Sequence, residues 1–435
     1  MPTSSLDTCQ ILFNLTGVRP CRVPQEDPVH ESTATTPWPV GRGSRDRVAA
    51  RFGAGRADLA HLALTTGDPL ADAVADEIAA GGRRVRAALQ EGITRGLASL
   101  ADPPPAVAAL LADTETPPDG ADDALLDRGS LSAFDAPQAA RIIALTAGSL
   151  VRTYESPSIA EVLKLSGRLL DAVPRRLEDT GRWYLTALLP GSLRPGEAGY
   201  TATLQVRVLH AHMRAMARRR GYDEAALGVP INQVDLVRTW MDFTLTSHNA
   251  LDAMGYHSSA ADRADQYRYW HHVAHLLGID PRLLDGVRDQ ESARETDDLL
   301  QAVTGPLGPD SAALAEATLR STAATLDEVA SIPGAVGLPA LCALARRFHG
   351  DARADALGLP RAAVAGAVLD AAAALNRVRG RRLLRDPRRL GAVRARNVAA
   401  TRAHLARAAR PATHARGGDP DRPVPAEHRT GEERP

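Results

Sequence analysis

The sequence predicts an all-α protein, and three observations predict it. From residue 46 to about 410, apolar residues recur at spacings of three and four, as in 69-PLADAVADEIAAGGRRVRAAL-89 and 136-APQAARIIALTAGSLVRTY-154. That is the period of a helix with one buried face. Proline- and glycine-rich breaks divide the pattern into helix-length pieces: 102-DPPP-105, 117-PPDG-120, 190-PGSLRPGEAG-199 and 304-TGPLGPD-310. No stretch alternates apolar and polar residues over strand length.

The ends differ from the middle. Residues 1–45 are rich in Pro, Thr and Ser and read as a loose leader. Residues 46–410 form the helical domain, and the polar, proline-rich 411–435 reads as a disordered tail. No internal repeat is visible. With 435 residues, 44% apolar and 24% charged, the chain is long enough for one large domain or two smaller ones. Its formal net charge of zero gives no reason to expect a nucleic-acid partner. Aromatics are scarce, at 4%, and Lys164 is the only lysine.

The three cysteines, Cys9, Cys21 and Cys342, form no CxxC. This fits a reducing compartment and excludes a cysteine-built zinc site or a covalent c-type haem attachment. No basic segment leads into a long apolar run at the start, so no signal peptide is expected. Nowhere do about 18 apolar residues run together, so no transmembrane helix is expected. The expected localisation is cytoplasmic, and the oligomeric state is not readable.

Candidate site residues follow in chain order. In 175-RRLEDT-180, Arg176 and Thr180 stand at i, i+4 and share a helical face. A guanidinium and a hydroxyl on one face suit a carboxylate or a bound oxygen, or form a surface ion pair beside an ordinary helix threonine. Asp179 lies next to them and could carry a proton. In 207-RVLHAHMR-214 two histidines stand two residues apart and cannot share a face, at about 100° per residue. On the wheel, Val206, Leu209, Met213 and Met216 form an apolar stripe, and Arg207, Arg214 and Arg218 form a separate face. His210 sits on the border between them, and His212 on the opposite flank of the stripe. An apolar slot, one neutral imidazole and nearby arginines are what a b-type haem needs: iron to imidazole, walls to macrocycle, cations to propionates. A histidine beside an apolar stripe is also, and more often, a hydrogen-bonded core residue.

In 228-GVPINQVDL-236 a turn enters a helix with Asn232 as N-cap. In 270-WHHVAH-275, His271 and His275 have metal-ligand spacing, but the glutamate of HExxH is missing. Helix-surface histidines are the plainer reading of that pair. Residues 376–410 hold twelve arginines against one acid, Asp386. That suits an acidic partner or a membrane surface. A solvated helical face is the plainer reading, because the arginines mingle with alanine and lack interleaved aromatics.

Together the segments 67-GDPLADAV-74, 148-GSLVRTYESPSIAEVLKLSGRL-169, 175-RRLEDT-180, RVLHAHMR, GVPINQVDL and 269-YWHHVAHLLGID-280 resemble the rubber-oxygenase (latex clearing protein) and MpaB-type oxygenase family. The resemblance spans roughly residues 65–280. It implies a globin-like helical core with additional helices and a non-covalent haem b whose iron is held by one proximal histidine. It also implies use of O2 to cleave a C=C bond in a lipophilic isoprenoid. By the same resemblance His210 is the iron ligand, and Arg176 and Thr180 match the family's Arg-x-x-x-Thr pair. Arg207 and Arg214 are the expected cofactor-binding cations. Asp179 stands where some members carry a lysine, so no distal amine is expected from that position. Glu161 is the nearest candidate for an assisting glutamate. The expected substrate is a small unsaturated lipophilic metabolite. Two other readings stay open: a metal-dependent hydrolase using His271 and His275, and a non-catalytic haem-binding helical module.

Overall fold

The computed structural model describes residues 36–167, 169–330 and 332–408. The expected tail and residues 1–35 of the expected leader lie outside the described residues. Among the described residues every regular element is helical and there is no strand. None of these helices is long and apolar enough to cross a membrane.

Helix α1 (Pro69–Arg95) starts where Asp68 accepts a hydrogen bond from the Ala71 amide and Pro69 takes the first helical position. It kinks at Gly82, whose φ of 60° leaves the helical region, and ends at Gly96. Next come α2 (Pro105–Thr114), α3 (Pro157–Leu165), α4 (Val173–Ala187) and α5 (Ala198–Arg219). They are followed by α6 (Gln233–Met241), α7 (Ala260–Leu276) and α8 (Gln290–Thr304). Asn232 caps α6 as expected, accepting from the Asp235 amide at 3.1 Å. The chain closes with α9 (Ser311–Ala330), α10 (Gly334–His349), α11 (Ala363–Leu384) and α12 (Pro387–Ala408).

Residues 38–44, expected in the loose leader, are docked on the body. The Trp38 indole donates to the Gly43 carbonyl at 2.7 Å. The buried Arg42 guanidinium forks onto Asp235 at 3.0–3.1 Å. The helical run expected over 136–154 is interrupted. Its middle, Ala144–Leu150, is π-helical, and a second π segment, Asp242–Thr246, follows α6. The two pack together, and Ser149 Oγ donates to the Asp242 carbonyl at 2.5 Å. Arg152, Arg238 and Thr153 converge on the Asp242 carboxylate in a buried ionic cluster.

Four of the scarce aromatics form one cluster. Trp183 and Tyr184 of α4 meet Phe243 and Trp270, with Phe243 stacked on Trp270 at 5.8 Å. This fixes the C-terminal half of α4 in the core.

Candidate functional site

Helices α4 and α5 form a hairpin closed by one bond: Trp183 Nε1 donates to Thr203 Oγ1 at 3.1 Å. Arg176 lies seven residues before Trp183, and His210 seven residues after Thr203. Both are therefore about 10 Å along their helices from that bond. Thr180 stands likewise level with Val206. The hairpin places Arg176, Asp179 and Thr180 on the α4 face that carries Trp183, because residues three, four and seven apart share a face.

Helix α5 has a polarity that the wheel did not anticipate. Two of the three arginines on its charged face are buried: Arg207 is 3% exposed and Arg214 1%, while Arg218 is exposed. The apolar stripe of Val206, Leu209 and Met213 is only half-buried, although Met216 is buried. The reason is a pair of carboxylates at the start of α1. Arg207 donates to Asp68 at 2.7 and 3.1 Å and to Asp113 at 3.1 Å. Arg214 donates to Asp72 at 2.7 Å and to the Ile231 carbonyl at 3.0 Å. The two guanidiniums clamp α5 to α1, and Arg214 Nη2 is left buried without a hydrogen-bond partner among the described residues. The clamp is tight. A Cβ on Gly278 would overlap the Asp68 carboxylate and the Arg207 guanidinium, and one on Gly67 would come within 2.9 Å of Arg214. Gln233 closes it by donating to the Gly67 and Gly278 carbonyls at 2.7 and 2.9 Å.

His210 stands between the clamp and the half-buried stripe. Burial first, then the Arg214 charge, push its pKa down to about 4, so the imidazole is neutral at ordinary pH. Its Nδ1 is buried with no hydrogen-bond partner among the described residues. Val206 and Met213 lie one turn to either side. Leu163, Leu169 and Leu177, from α3, α4 and the turn between them, are also only partly buried. A neutral imidazole with an open nitrogen beside half-covered apolar side chains fits an iron-bearing macrocycle. His212, on the other flank, lies near Arg86 and Arg219, and its pKa is lowered by burial and by their charges.

Arg176 donates to the Leu169 carbonyl at 2.6 Å and is hydrogen-bonded to the buried Tyr154 hydroxyl. It ties α4 to the turn that precedes it. Thr180 is half-buried, and its hydroxyl makes no hydrogen bond among the described residues. Asp179 lies 3.8 Å from Arg175, and burial raises its carboxyl pKa. Glu161 pairs with Lys164 at 3.4 Å near the surface. The buried glutamate nearby is instead Glu155, adjacent in sequence to Tyr154 and 3.5 Å from both Arg238 and Arg353. His271 and His275 each face a backbone carbonyl, of Val287 at 2.5 Å and of Asp113 at 3.1 Å. Among the described residues no group of three His, Cys, Asp or Glu side chains could hold a metal ion.

Residues 137–378 match the family model described as ER-bound oxygenase mpaB/B′/rubber oxygenase, catalytic domain. The match takes in α4, α5 and His210, and it extends past the resemblance seen in the sequence to α11. The fold is similar to a solved structure of latex clearing protein in its closed state, with a TM-score of 0.54 at 18% identity. That likeness covers 79% of this chain and 91% of the other. No curated protein matches the chain.

Proposed function

The chain belongs to the family of ER-bound MpaB/B′ oxygenases and rubber oxygenases, and on that premise we propose that it is a haem b-dependent oxygenase. Its proposed reaction uses O2 to cleave a C=C bond in a small, lipophilic, isoprenoid-like substrate. The observation that carries this reading is His210, a neutral imidazole with an unpartnered Nδ1, held on a clamped helix beside a half-buried apolar stripe.

A bound haem iron would supply the redox chemistry that activates dioxygen toward the alkene. The protein's own residues do the rest. His210 is the proposed iron ligand, and the Arg207–Asp68 and Arg214–Asp72 pairs fix the helix that presents it. Val206, Leu209 and Met213 offer a half-buried apolar surface beside it, which suits a lipophilic chain. Thr180 has a hydroxyl free to donate to an oxygen atom. Asp179 is the nearest carboxyl with a raised pKa and is the proposed proton carrier. Arg176, which cannot lose its proton at working pH, holds α4 in place. One alkene and one O2 balance to two carbonyl groups, so no external reductant is needed.

The test is an absorption spectrum and a product analysis. The protein reconstituted with haem should show a Soret band. His210→Ala should lose the haem, and His212→Ala should largely keep it. Equal loss in both variants would remove His210 as the ligand. An unsaturated terpenoid should give carbonyl products labelled from 18O2. A haem complex that takes up no oxygen with any unsaturated substrate would favour a non-catalytic binding module.

A further inference from the structure

Helix α11 has two apolar faces where a surface helix needs one. Over its 22 residues only Ala373 is fully buried. Around Ala373, Leu369 packs into the core and Asn376 donates to the Met254 carbonyl at 3.0 Å. Arg347 of α10 pairs with Asp370 on the same side. The opposite face points to solvent and carries Val364, Val368, Leu375 and Val378, which are 82%, 65%, 49% and 48% exposed. At about 100° per residue these four fall within an arc of about 80°. The same arc continues toward the C-terminus as Arg379, Arg382 and Arg385, with Arg381, Arg388 and Arg389 close by. All six arginines are exposed, and among the described residues none makes a side-chain hydrogen bond or an ion pair. The one acid in this stretch, Asp386, is occupied in accepting from the Arg389 amide at 3.1 Å.

We propose that this face of α11 docks on an anionic lipid bilayer. Val364, Val368, Leu375 and Val378 enter the boundary of the acyl chains, and the arginines from 379 to 389 meet headgroup phosphates. An apolar stripe running into a cationic end is the pattern of a helix lying in a membrane interface. Arginine stems can lie along the apolar surface while the guanidiniums reach outward. Charge complementarity selects this occupant over the others. A nucleic acid would neutralise the arginines but offers no apolar surface to four exposed aliphatic side chains, and the stripe has no aromatic for stacking on bases. A second copy fits poorly in either orientation: parallel helices would set arginines against arginines, and antiparallel helices would bury arginines on the valines. The proposal is independent of haem binding.

The test is co-sedimentation of the full chain with vesicles of phosphatidylcholine alone and of phosphatidylcholine mixed with phosphatidylglycerol. Binding is expected to the mixed vesicles only, and it should weaken as salt is raised. Each arginine near an anionic surface contributes about 1 kcal/mol, or roughly fivefold. The triple variant Arg379→Gln/Arg382→Gln/Arg385→Gln should therefore bind on the order of 100-fold more weakly. Leu375→Asp should also lower binding, and circular dichroism should show both variants folded, since all four positions are exposed. Should Leu375→Asp fail to fold, Val364→Ser at the most exposed position reads the same contact. Equal binding to both vesicle types, or to neither, overturns the proposal. So does a dimer in solution that Leu375→Asp dissociates, or binding to duplex oligonucleotide without binding to vesicles.

Discussion

Asp68→Ala tests the clamp that orients His210. Asp68 is 3% exposed, caps α1 through the Ala71 amide and accepts two hydrogen bonds from Arg207. Its removal leaves a buried guanidinium with one remaining carboxylate, Asp113, at 3.1 Å. Removing one partner of a buried pair costs about 3–5 kcal/mol, and losing an N-cap about 1 kcal/mol. Because Asp113 retains part of the interaction, about 4 kcal/mol is expected in all. Asp68→Asn keeps a good cap and the shape while removing the charge, so it should cost about 1 kcal/mol less. The assay is urea unfolding of the haem-free protein, followed by the midpoint at unchanged slope. The haem-free form is essential. If Arg207 instead served a propionate, Asp68→Ala would cost the haem-free protein only the lost cap, about 1 kcal/mol, and would otherwise alter haem affinity alone. A loss of about 1 kcal/mol or less would therefore refute the clamp.

Other outcomes follow from the same geometry. Arg176→Ala removes the bond to the Leu169 carbonyl and the one to Tyr154; a buried bond to a charged group costs about 1.5–3 kcal/mol. Haem titration should then show an affinity loss of roughly tenfold or more, and wild-type affinity would remove Arg176 from the site. Thr180→Val should keep folding and haem binding but slow oxygen uptake; unchanged turnover would count against its hydroxyl. Burial and Arg214 hold His210 near 4 in the folded protein, against an ordinary value of 6.5. The stability linked to this group is fully present above 6.5 and is lost as pH falls from 6.5 toward 4. His272 and His349, also pushed to about 4, act in the same sense. Glu155 and Asp297, raised by burial, act in the opposite sense. Comparison with His210→Gln isolates the imidazole: the thermal midpoint of the variant should fall less steeply across this window. Identical slopes would refute the assignment.

The local features were legible in the sequence because they depend on neighbours along the chain. The three- and four-residue spacing gave the helices, Asn232 gave its cap, and the wheel separated His210 from His212. What failed was the side of α5 that faces inward. A wheel ranks apolar residues as buried, but Arg207 and Arg214 are neutralised by Asp68 and Asp72, 139 and 142 residues away. No local pattern reports such a pairing. The π segments were hidden for a different reason: widening a turn by one residue barely disturbs the apolar period over a short run. The kink at Gly82 did leave a mark, in the paired Gly81 and Gly82 within a helical pattern. Docking of residues 38–44 depends on Arg42 reaching Asp235, which is again a distant partner.

The clamp also separates residues that build the site from residues that can tune it. Four of the sequence segments meet there: Gly67, Asp68 and Asp72 from the first, Arg207 and Arg214 from the second, Gln233 from the third and Gly278 from the fourth. Arginine suits this node because its planar fork bonds Asp68 through two nitrogens, which an ammonium cannot do. The two glycines suit it because any side chain would collide with the ion pairs. These residues fix the helix that presents His210, so changing them should loosen that helix. Val206, Leu209, Met213 and Thr180 are half-buried and take part in no ion pair among the described residues, so side-chain volume and polarity can change there without breaking one; Asp179, also half-buried, pairs with Arg175 at 3.8 Å. Asp179 is the sharpest case. Burial makes its carboxyl easier to protonate, against the pull of the Arg175 charge 3.8 Å away, so that position can offer an acid or a proton acceptor beside a cation.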